Sequence, residues 1–340
     1  MLAAVLVKSK SKLEIMDIEL PELSFGQVLV KLKFSGICGA QINEIDAVKG
    51  RDKFLPHLLG HEGTGIVEEI GDGVKTVKKG DHVVLHWKKG NGIESNTPKY
   101  KYKGKIINAG WVTTFNEKAI VSENRVTKID KKFNLKIATL MGCSLTTAYG
   151  VVNNDANIKI GQSVIIVGLG GVGLNLVQAC SLVSANPIVG IDINQKKIEL
   201  AYKYGLDYGI KYLNNNSLKK KINAILDGNK ANIVIETTGI SEMIELAYDL
   251  TSPDGKTILV GVPNKNINIY SLPLHFDKIL KGSFGGNTKP EIDIPNYIKL
   301  ILKKRINLKP LITHEFPLKK INDALKLFRT GNAGRIIIKF

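Results

Sequence analysis

The pattern of apolar and polar positions changes character near residue 163. Before that point, short alternating runs rich in β-branched residues are separated by glycines, as in residues 27–34, 65–70 and 80–84. Such alternation is typical of strands with one buried face, and there is little sustained helical periodicity. We therefore expect this half of the chain to form a compact β-barrel domain.

Beyond residue 163, short continuous apolar runs alternate with helical segments. Continuous Val, Ile and Leu runs are typical of parallel strands that helices cover on both faces. This half therefore predicts an α/β architecture with a doubly wound parallel sheet. The predicted strands are 163–167, 187–191, 233–235 and 257–260, and the predicted helices are 174–183 and 195–204, the second ended by Gly205.

The last part of the chain predicts helices at 297–304 and 321–329 and a strand at 335–340. This segment is too small to fold alone, so we expect it to return to the first domain. The predicted domains are residues 1–145, a dinucleotide-binding domain at 146–284, and a returning segment at 285–340. An active site is expected in the cleft between the domains. Residues 266–274 form a strand-like segment whose unpaired edge would otherwise invite non-specific pairing.

Composition places the chain among ordinary globular proteins. Of its 340 residues, 44% are hydrophobic and 23% are charged. The apolar start runs into lysines without a cleavage site, and there is no uninterrupted apolar stretch of bilayer length, so no membrane association is expected. Three cysteines cannot build a disulfide framework, which favours a reducing, cytoplasmic location.

The formal net charge of +17 raises the question of a nucleic-acid partner. Only five of the 48 basic residues are arginines, and the lysines are scattered along the chain. Arginine supplies the planar fork that phosphate and base recognition favours. We therefore interpret the charge as a lysine-coated surface and expect no nucleic-acid partner.

A glycine-rich turn follows the strand at 163–167. In Gly168-Leu169-Gly170-Gly171-Val172-Gly173, the first glycine allows a tight turn, the second a close backbone approach to pyrophosphate, and the last close helix packing. The helix N-terminus would then face the phosphates. Asp192 ends the next strand, where a carboxylate binds ribose hydroxyls and repels a 2′-phosphate. The pattern predicts binding of NAD in preference to NADP.

Cys38, His61 and Cys143 are candidate metal ligands, but their spacing alone does not establish a site. Their surroundings are more specific, because an ordered set of motifs resembles the zinc-containing medium-chain alcohol dehydrogenases over nearly the whole chain. These motifs are residues 36–39, 60–65, 80–84, 142–150, 168–173, Asp192, 260–263 and 334–335.

This resemblance implies a GroES-like barrel fused to a Rossmann domain, with one catalytic zinc held by Cys38, His61 and Cys143. A zinc ion there would keep an open fourth position for the substrate oxygen. Glu62 would approach the metal as a transient ligand or remain beside it. The resemblance also implies positions on the cofactor: Thr147 and Val172 near the nicotinamide, Lys197 near the ribose, Arg335 on the pyrophosphate, and Gly171, Val260 and Val262 elsewhere along the cofactor. Trp87 and Phe115 resemble residues of the pocket wall. Either aromatic residue would equally suit the hydrophobic core.

The chain departs from the family pattern in two places. Residues 91–108 contain none of the four cysteines that hold a second, structural zinc in many relatives. Ala40 replaces the hydroxyl residue that starts the usual proton relay, Gln41 stands where an aspartate normally orients the ligand histidine, and Asn43 where a relay histidine is frequent. One zinc per chain is expected, and the route of the proton is left open.

The sequence thus favours a zinc- and NAD-dependent dehydrogenase acting on a small-molecule alcohol. The resemblance also implies a homodimer, with residues 266–274 as the candidate edge strand that joins two copies. Small alcohols, polyols, aromatic alcohols and sugar derivatives all remain candidate substrates. A zinc-independent quinone or enone reductase of the same fold is one alternative, and a non-catalytic NAD-binding protein is another. The lysine-rich segment at 88–105 favours a surface lobe.

Overall fold

Two compact units share the chain, and residues from both sides of the second unit build the first. The computed structural model describes residues 1–263 and 265–340. The first unit comprises residues 1–144 and 289–340, and the second comprises residues 145–288.

The chain forms strands in both units. In chain order they are β1 Leu2–Leu6, β2 Glu14–Asp17, β3 Gln27–Gly36, β4 His57–Leu58, β5 Glu62–Ile70, β6 His82–His86, β7 Tyr100–Tyr102, β8 Lys105–Ile107, β9 Lys118–Ser122, β10 Val126–Ile129, β11 Val164–Val167, β12 Ile188–Asp192, β13 Tyr208–Lys211, β14 Ala231–Glu236, β15 Thr251–Leu259, β16 Ile279–Gly282, β17 Ile312–Pro317 and β18 Arg335–Lys339. Strands β1 to β10, β17 and β18 belong to the first unit, and β11 to β16 belong to the second.

Within the described residues, no single helix is long and apolar enough to cross a bilayer. Only a bent pair of helical segments, Leu135–Gly142 and Ser144–Asp155, reaches the required length and apolar composition together.

The helices are α1 Gly39–Ile45, α2 Leu135–Ala138, α3 Ser144–Gly150, α4 Gly171–Leu182, α5 Gln195–Tyr202, α6 Asn215–Ile225, α7 Ser241–Leu250, α8 Pro290–Leu302 and α9 Ile321–Arg329.

The first unit is built around β3. Its main sheet has the order β10-β6-β5-β3-β18-β17, and β9 also pairs with β3. The register between β3 and β5 shifts between Leu29 and Val30 and again between Leu32 and Phe34. Such irregularities bend a strand, which lets β3 pair with several neighbours. Val28, Val30 and Leu32 point into one hydrophobic cluster, as the alternating pattern predicts.

The second unit is the predicted doubly wound α/β domain. Its six strands pair in parallel in the order β13-β12-β11-β14-β15-β16. Ile165, Val189 and Val234 are fully buried at the centre of the sheet. The doubly wound α/β fold class inferred for this half of the chain is confirmed by this strand order. In such sheets, ligands bind at the carboxyl ends of the strands where the strand order reverses, beside β11.

The predicted edge strand at 266–274 is wrong. Residues 266–271 have no regular structure, and Leu272–His275 forms a 3₁₀ turn. Pro273 lies in the first turn of this 3₁₀ segment, where its fixed φ and missing N–H are tolerated. The edge strands of the second unit are β13 and β16, and in β16 Ile279 pairs with Lys256 of β15.

Helix α8 begins seven residues earlier than the predicted helix at 297–304. Pro290 occupies its first turn, where a missing N–H costs nothing, and Glu291 and Asp293 favour the positive end of the helix. Helices α6 and α7 were not predicted at all. Asn214 caps α6 by accepting the backbone N–H of Ser217.

Candidate metal centre and dinucleotide site

Three different elements bring Cys38, His61 and Cys143 together. Cys38 follows β3 and is the N-cap of α1, His61 directly precedes β5, and Cys143 ends the 3₁₀ turn Thr139–Gly142. Their potential ligand atoms all lie within 4.8 Å of one another. Residues far apart in sequence therefore form one cluster.

The donor set fits a zinc ion. Zinc lies about 2.3 Å from thiolate sulfur and about 2.0 Å from imidazole nitrogen, so its ligand atoms must be close neighbours, as these are. Among the described residues, Nε2 of His61 is buried and has no hydrogen-bond partner, whereas Nδ1 contacts Gln41. A buried imidazole nitrogen without a partner costs free energy unless a metal or another group satisfies it. His61 Nε2 is thus the nitrogen left for the metal.

The surroundings favour the thiolate form of Cys38. A hydrogen bond with Cys143 holds the pKa of the Cys38 thiol well below its ordinary value, against burial, which acts in the opposite direction. His61 and the positive charge of Arg335 lower this pKa further. Because the thiolate is the form that binds metals, the cluster is prepared for a cation.

A buried ion pair lies next to the cluster. The guanidinium of Arg335 contacts the carboxylate of Glu62, and both side chains are almost completely inaccessible to solvent. Burial lowers the pKa of Arg335, while Cys38 acts to raise it. Arg335 therefore joins the electrostatics of the metal cluster. Its predicted contact with a pyrophosphate stays a prediction.

Two glycines make room for Glu62. A Cβ atom at Gly36 would overlap the Glu62 carboxylate, and one at Gly142 would lie 2.7 Å from the Glu62 Cβ. Real Cβ atoms essentially never come so close, so both positions need glycine. Sequence reasoning missed this role, although both glycines stand inside the motifs that contain the ligand cysteines.

Gln41 contacts two of the candidate ligands. Its side chain is buried, and its Oε1 accepts the Cys38 backbone N–H at 3.0 Å. Its Nε2 contacts Nδ1 of His61. Ala40, the preceding residue in the first turn of α1, is exposed.

The two aromatic residues assigned to a pocket wall differ in their surroundings. Phe115 is fully buried in a hydrophobic cluster with Leu6 and Ile37, which favours the core interpretation of this residue. Trp87 is half-buried, and its carbonyl oxygen accepts a hydrogen bond from Arg125.

The segment at 88–105 is ordered by polar contacts. The Arg125 guanidinium pairs with Glu94 at 2.7 Å. The buried Glu123 carboxylate accepts the backbone N–H of Ile93 at 2.9 Å. Strands β7 and β8 form a hairpin farther along this segment. These contacts fix a lobe that contains no cysteine.

The glycine-rich turn of the second unit has the geometry that its sequence predicts. Gly168 adopts φ +93°, which favours glycine, and a Cβ at Gly173 would overlap the Gly168 carbonyl oxygen. Gly170 is the N-cap of α4. A Cβ at Gly170 would meet no atom of the described residues within 4 Å, so the backbone there borders open space. That space is where a pyrophosphate would approach the helix N-terminus.

Asp192 ties the turn after β11 to the turn after β12. Its Oδ2 accepts the Leu169 N–H and its Oδ1 accepts the Asn194 N–H, both at 2.8 Å. Each carboxylate oxygen keeps a second lone pair for a ribose hydroxyl. Lys197 is the third residue of α5, five residues after Asp192 in the sequence, and is half-buried.

The remaining cofactor candidates belong to the second unit, with differing exposure. Thr147 on α3 is buried, Val172 and Val260 are half-buried, and Val262 is exposed.

Sequence reasoning missed Glu236, which organises the loops after β14 and β15. Its fully buried carboxylate accepts the backbone N–H groups of Thr238 and Gly239. A Cβ at Gly261 would lie 2.8 Å from Glu236 Oε2, so the second loop packs directly on the same carboxylate. Burial raises the pKa of Glu236.

Two family models match the chain. Residues 24–131 match the alcohol dehydrogenase GroES-like domain, and residues 171–303 match the zinc-binding dehydrogenase family. An S-(hydroxymethyl)glutathione dehydrogenase of Escherichia coli O1:K1 is 31% identical over 99% of both chains. Alcohol dehydrogenase 2 of Oryza sativa subsp. japonica is 30% identical over 99% of this chain and 96% of its own.

Solved structures share the whole fold. Benzyl alcohol dehydrogenase from Acinetobacter calcoaceticus superimposes with a TM-score of 0.89 at 26% identity, covering 100% of this chain and 99% of that one. Galactitol-1-phosphate dehydrogenase from Escherichia coli gives a TM-score of 0.79 at 20% identity over 100% of both chains. At that lower identity the similarity concerns the fold.

Proposed function

The chain belongs to the zinc-dependent medium-chain alcohol dehydrogenase family, and on that premise we propose that it is a zinc-containing, NAD-dependent oxidoreductase. It transfers a hydride between NAD and a primary or secondary alcohol, with polyols and sugar derivatives among the substrates. The observation that carries the proposal is the cluster of Cys38, His61 and Cys143. Within this cluster, Nε2 of His61 is buried and has no hydrogen-bond partner among the described residues.

The protein's own groups prepare the reaction at this cluster. Cys38, His61 and Cys143 would hold a zinc ion and would leave a further ligand position for a substrate oxygen. A bound zinc ion supplies Lewis acidity that lowers the pKa of the substrate hydroxyl. The Glu62–Arg335 pair keeps a buried carboxylate beside the cluster without adding net charge. Ala40 offers no hydroxyl, so the departing proton needs another acceptor.

The second unit supplies the binding surface for the dinucleotide. The open space at Gly170 and the helix N-terminus of α4 suit a pyrophosphate. Asp192 suits the adenosine ribose of NAD. When bound, NAD supplies the acceptor for the hydride.

Metal analysis tests the proposal directly. We expect about one zinc ion per chain after metal-replete purification, because the described residues contain one three-ligand cluster and the sequence lacks the four-cysteine lobe. Cys143→Ala should lose metal and activity together. A ratio near two, or turnover that persists without metal, would contradict the assignment and favour a zinc-independent reductase of the same fold.

Cofactor preference is a separate prediction. NAD should give the higher kcat/KM, since a 2′-phosphate would meet the Asp192 carboxylate. Asp192→Ala should shift the ratio of the two kcat/KM values toward NADP. The assignment is wrong if NADP is preferred by the unchanged protein or if the substitution leaves the ratio as it was.

The expected homodimer is proposed here for a different edge than the sequence indicated. Among the described residues, the outer edge of β16 has no strand partner. Exposed aromatic residues flank this strand in the sequence, with Tyr270 71%, Phe276 66% and Phe284 62% exposed. Pairing of β16 with a second copy would satisfy the strand edge and cover this apolar surface.

A further inference from the structure

We propose that Gln41 is a positioning residue of the metal centre and that its amide weakens metal retention, because it cannot satisfy Cys38 and His61 at once when a metal is bound. The inference rests on the metal site of the proposed function. It concerns an amide that stands between two candidate ligands and is itself buried, with 1% of its surface exposed.

The two contacts of Gln41 have different chemistry. Its Oε1 accepts the backbone N–H of Cys38 at 3.0 Å, as a capping side chain does at the start of a helix. Its Nε2 lies against Nδ1 of His61. An amide nitrogen is a donor only, so in this arrangement Nδ1 accepts and the ring proton belongs on Nε2.

Metal binding reverses the second contact. A neutral imidazole that binds a metal through Nε2 carries its proton on Nδ1, and it then needs an acceptor beside Nδ1. Gln41 presents a donor there. If the amide turns over, its oxygen accepts from His61, but its NH₂ group then faces the Cys38 N–H. In one orientation the Gln41 NH₂ group faces the Nδ1–H of His61, and in the other it faces the N–H of Cys38. Either way two donors face each other, and a buried donor without an acceptor is unfavourable.

A carboxylate at residue 41 would remove this conflict. One oxygen would accept the Cys38 N–H, and the other would accept the Nδ1–H of His61. Groups that orient ligand histidines in this way typically change metal affinity by about 10- to 100-fold. The amide therefore makes the metal easier to lose than a carboxylate would.

The experiment compares zinc dissociation constants at one pH by competition with a chromogenic chelator. Gln41→Glu should lower the dissociation constant by about 10- to 100-fold. Val48→Glu is the matched control, because it adds the same charge at an exposed residue shortly after α1 that has no assigned part in the site. Its effect should remain below about fivefold, the range of exposed charge pairs. The visible spectrum of the cobalt-substituted proteins should show the same two-thiolate ligand set in all three.

Gln41→Asp is a second variant in case the glutamate does not fold, which circular dichroism of the metal-free protein would reveal. It also offers an acceptor to His61 and should tighten binding. Equal or weaker binding by the folded carboxylate variants overturns the inference, and so does equal tightening by Val48→Glu. Failure of the proposed function gives a different result, since the unchanged protein would then bind no zinc.

Discussion

A methyl group occupies residue 40, which is exposed in the first turn of α1 and where the family resemblance leads us to expect a hydroxyl. The hydroxyl normally accepts the proton of the substrate alcohol. Without it, the proton must leave through water, through Glu62, or through a hydroxyl of the substrate or cofactor. A polyol brings such a hydroxyl next to the reacting carbon, whereas ethanol does not.

We therefore expect simple monohydric alcohols to be poor substrates relative to polyols. Loss of a positioned proton acceptor typically costs about 10² to 10⁴ in rate, so Ala40→Ser should raise kcat on a monohydric alcohol more than on a polyol. Both proteins would be assayed between about pH 6 and 10. Fast turnover of ethanol by the unchanged protein, with no gain from the serine, would show that residue 40 does not govern substrate choice.

At this scale, sequence motifs predicted which residues assemble but not what each side chain does. Cys38, His61 and Cys143 were placed together by resemblance, and the structure brings them within reach of one ion. The contact between Arg335 and Glu62 had no local signal, because it depends on the pairing of β18 with β3 and of β3 with β5, which contains Glu62. Side-chain contacts between distant strands depend on register, which periodicity alone does not determine.

At the scale of the elements, two glycines at the start of α4, Gly170 and Gly173, have different roles. Gly173 is needed for packing, since any Cβ there would overlap the Gly168 carbonyl oxygen. Gly170 borders open space and has φ −71°, which alanine readily adopts. The glycine at residue 173 is therefore needed for stability, whereas the glycine at residue 170 is needed for ligand binding.

The matched pair Gly173→Ala and Gly170→Ala tests this separation. Gly173→Ala should lower the free energy of unfolding by about 1 to 3 kcal/mol, as overpacking does. Gly170→Ala should unfold like the unchanged protein but bind NADH more weakly, because its methyl group enters the space left for the pyrophosphate. Thermal melting and NADH fluorescence titration measure the two effects. Equal melting temperatures for the two variants would contradict the packing argument.

Continuous apolar runs predicted the central strands well, since β11 and β12 lie where the pattern placed them. The strand-like pattern at residues 266–274 was misleading, since Leu272–His275 forms a 3₁₀ turn that contains Pro273 and the residues before it have no regular structure. Helix α6 was missed because its lysine-rich sequence buries only Leu218 and Ile222. A narrow apolar stripe is a weak periodic signal.

For the molecule as a whole, the outer edge of β16 predicts a dimer. Light scattering at micromolar concentration should give twice the chain mass of 37.2 kDa. Phe276→Glu should shift the population toward monomers, because a charge would be buried in the apolar contact. A monomeric unchanged protein at this concentration would refute the proposal.

The position of β18 has a consequence for synthesis on the ribosome. This strand lies between β3 and β17, yet its residues are translated after the whole second unit. Domains generally fold as units while the chain emerges. The second unit can therefore close while β3 still lacks one neighbour and Glu62 still lacks Arg335. The unit that contains the metal ligands begins first and is completed last.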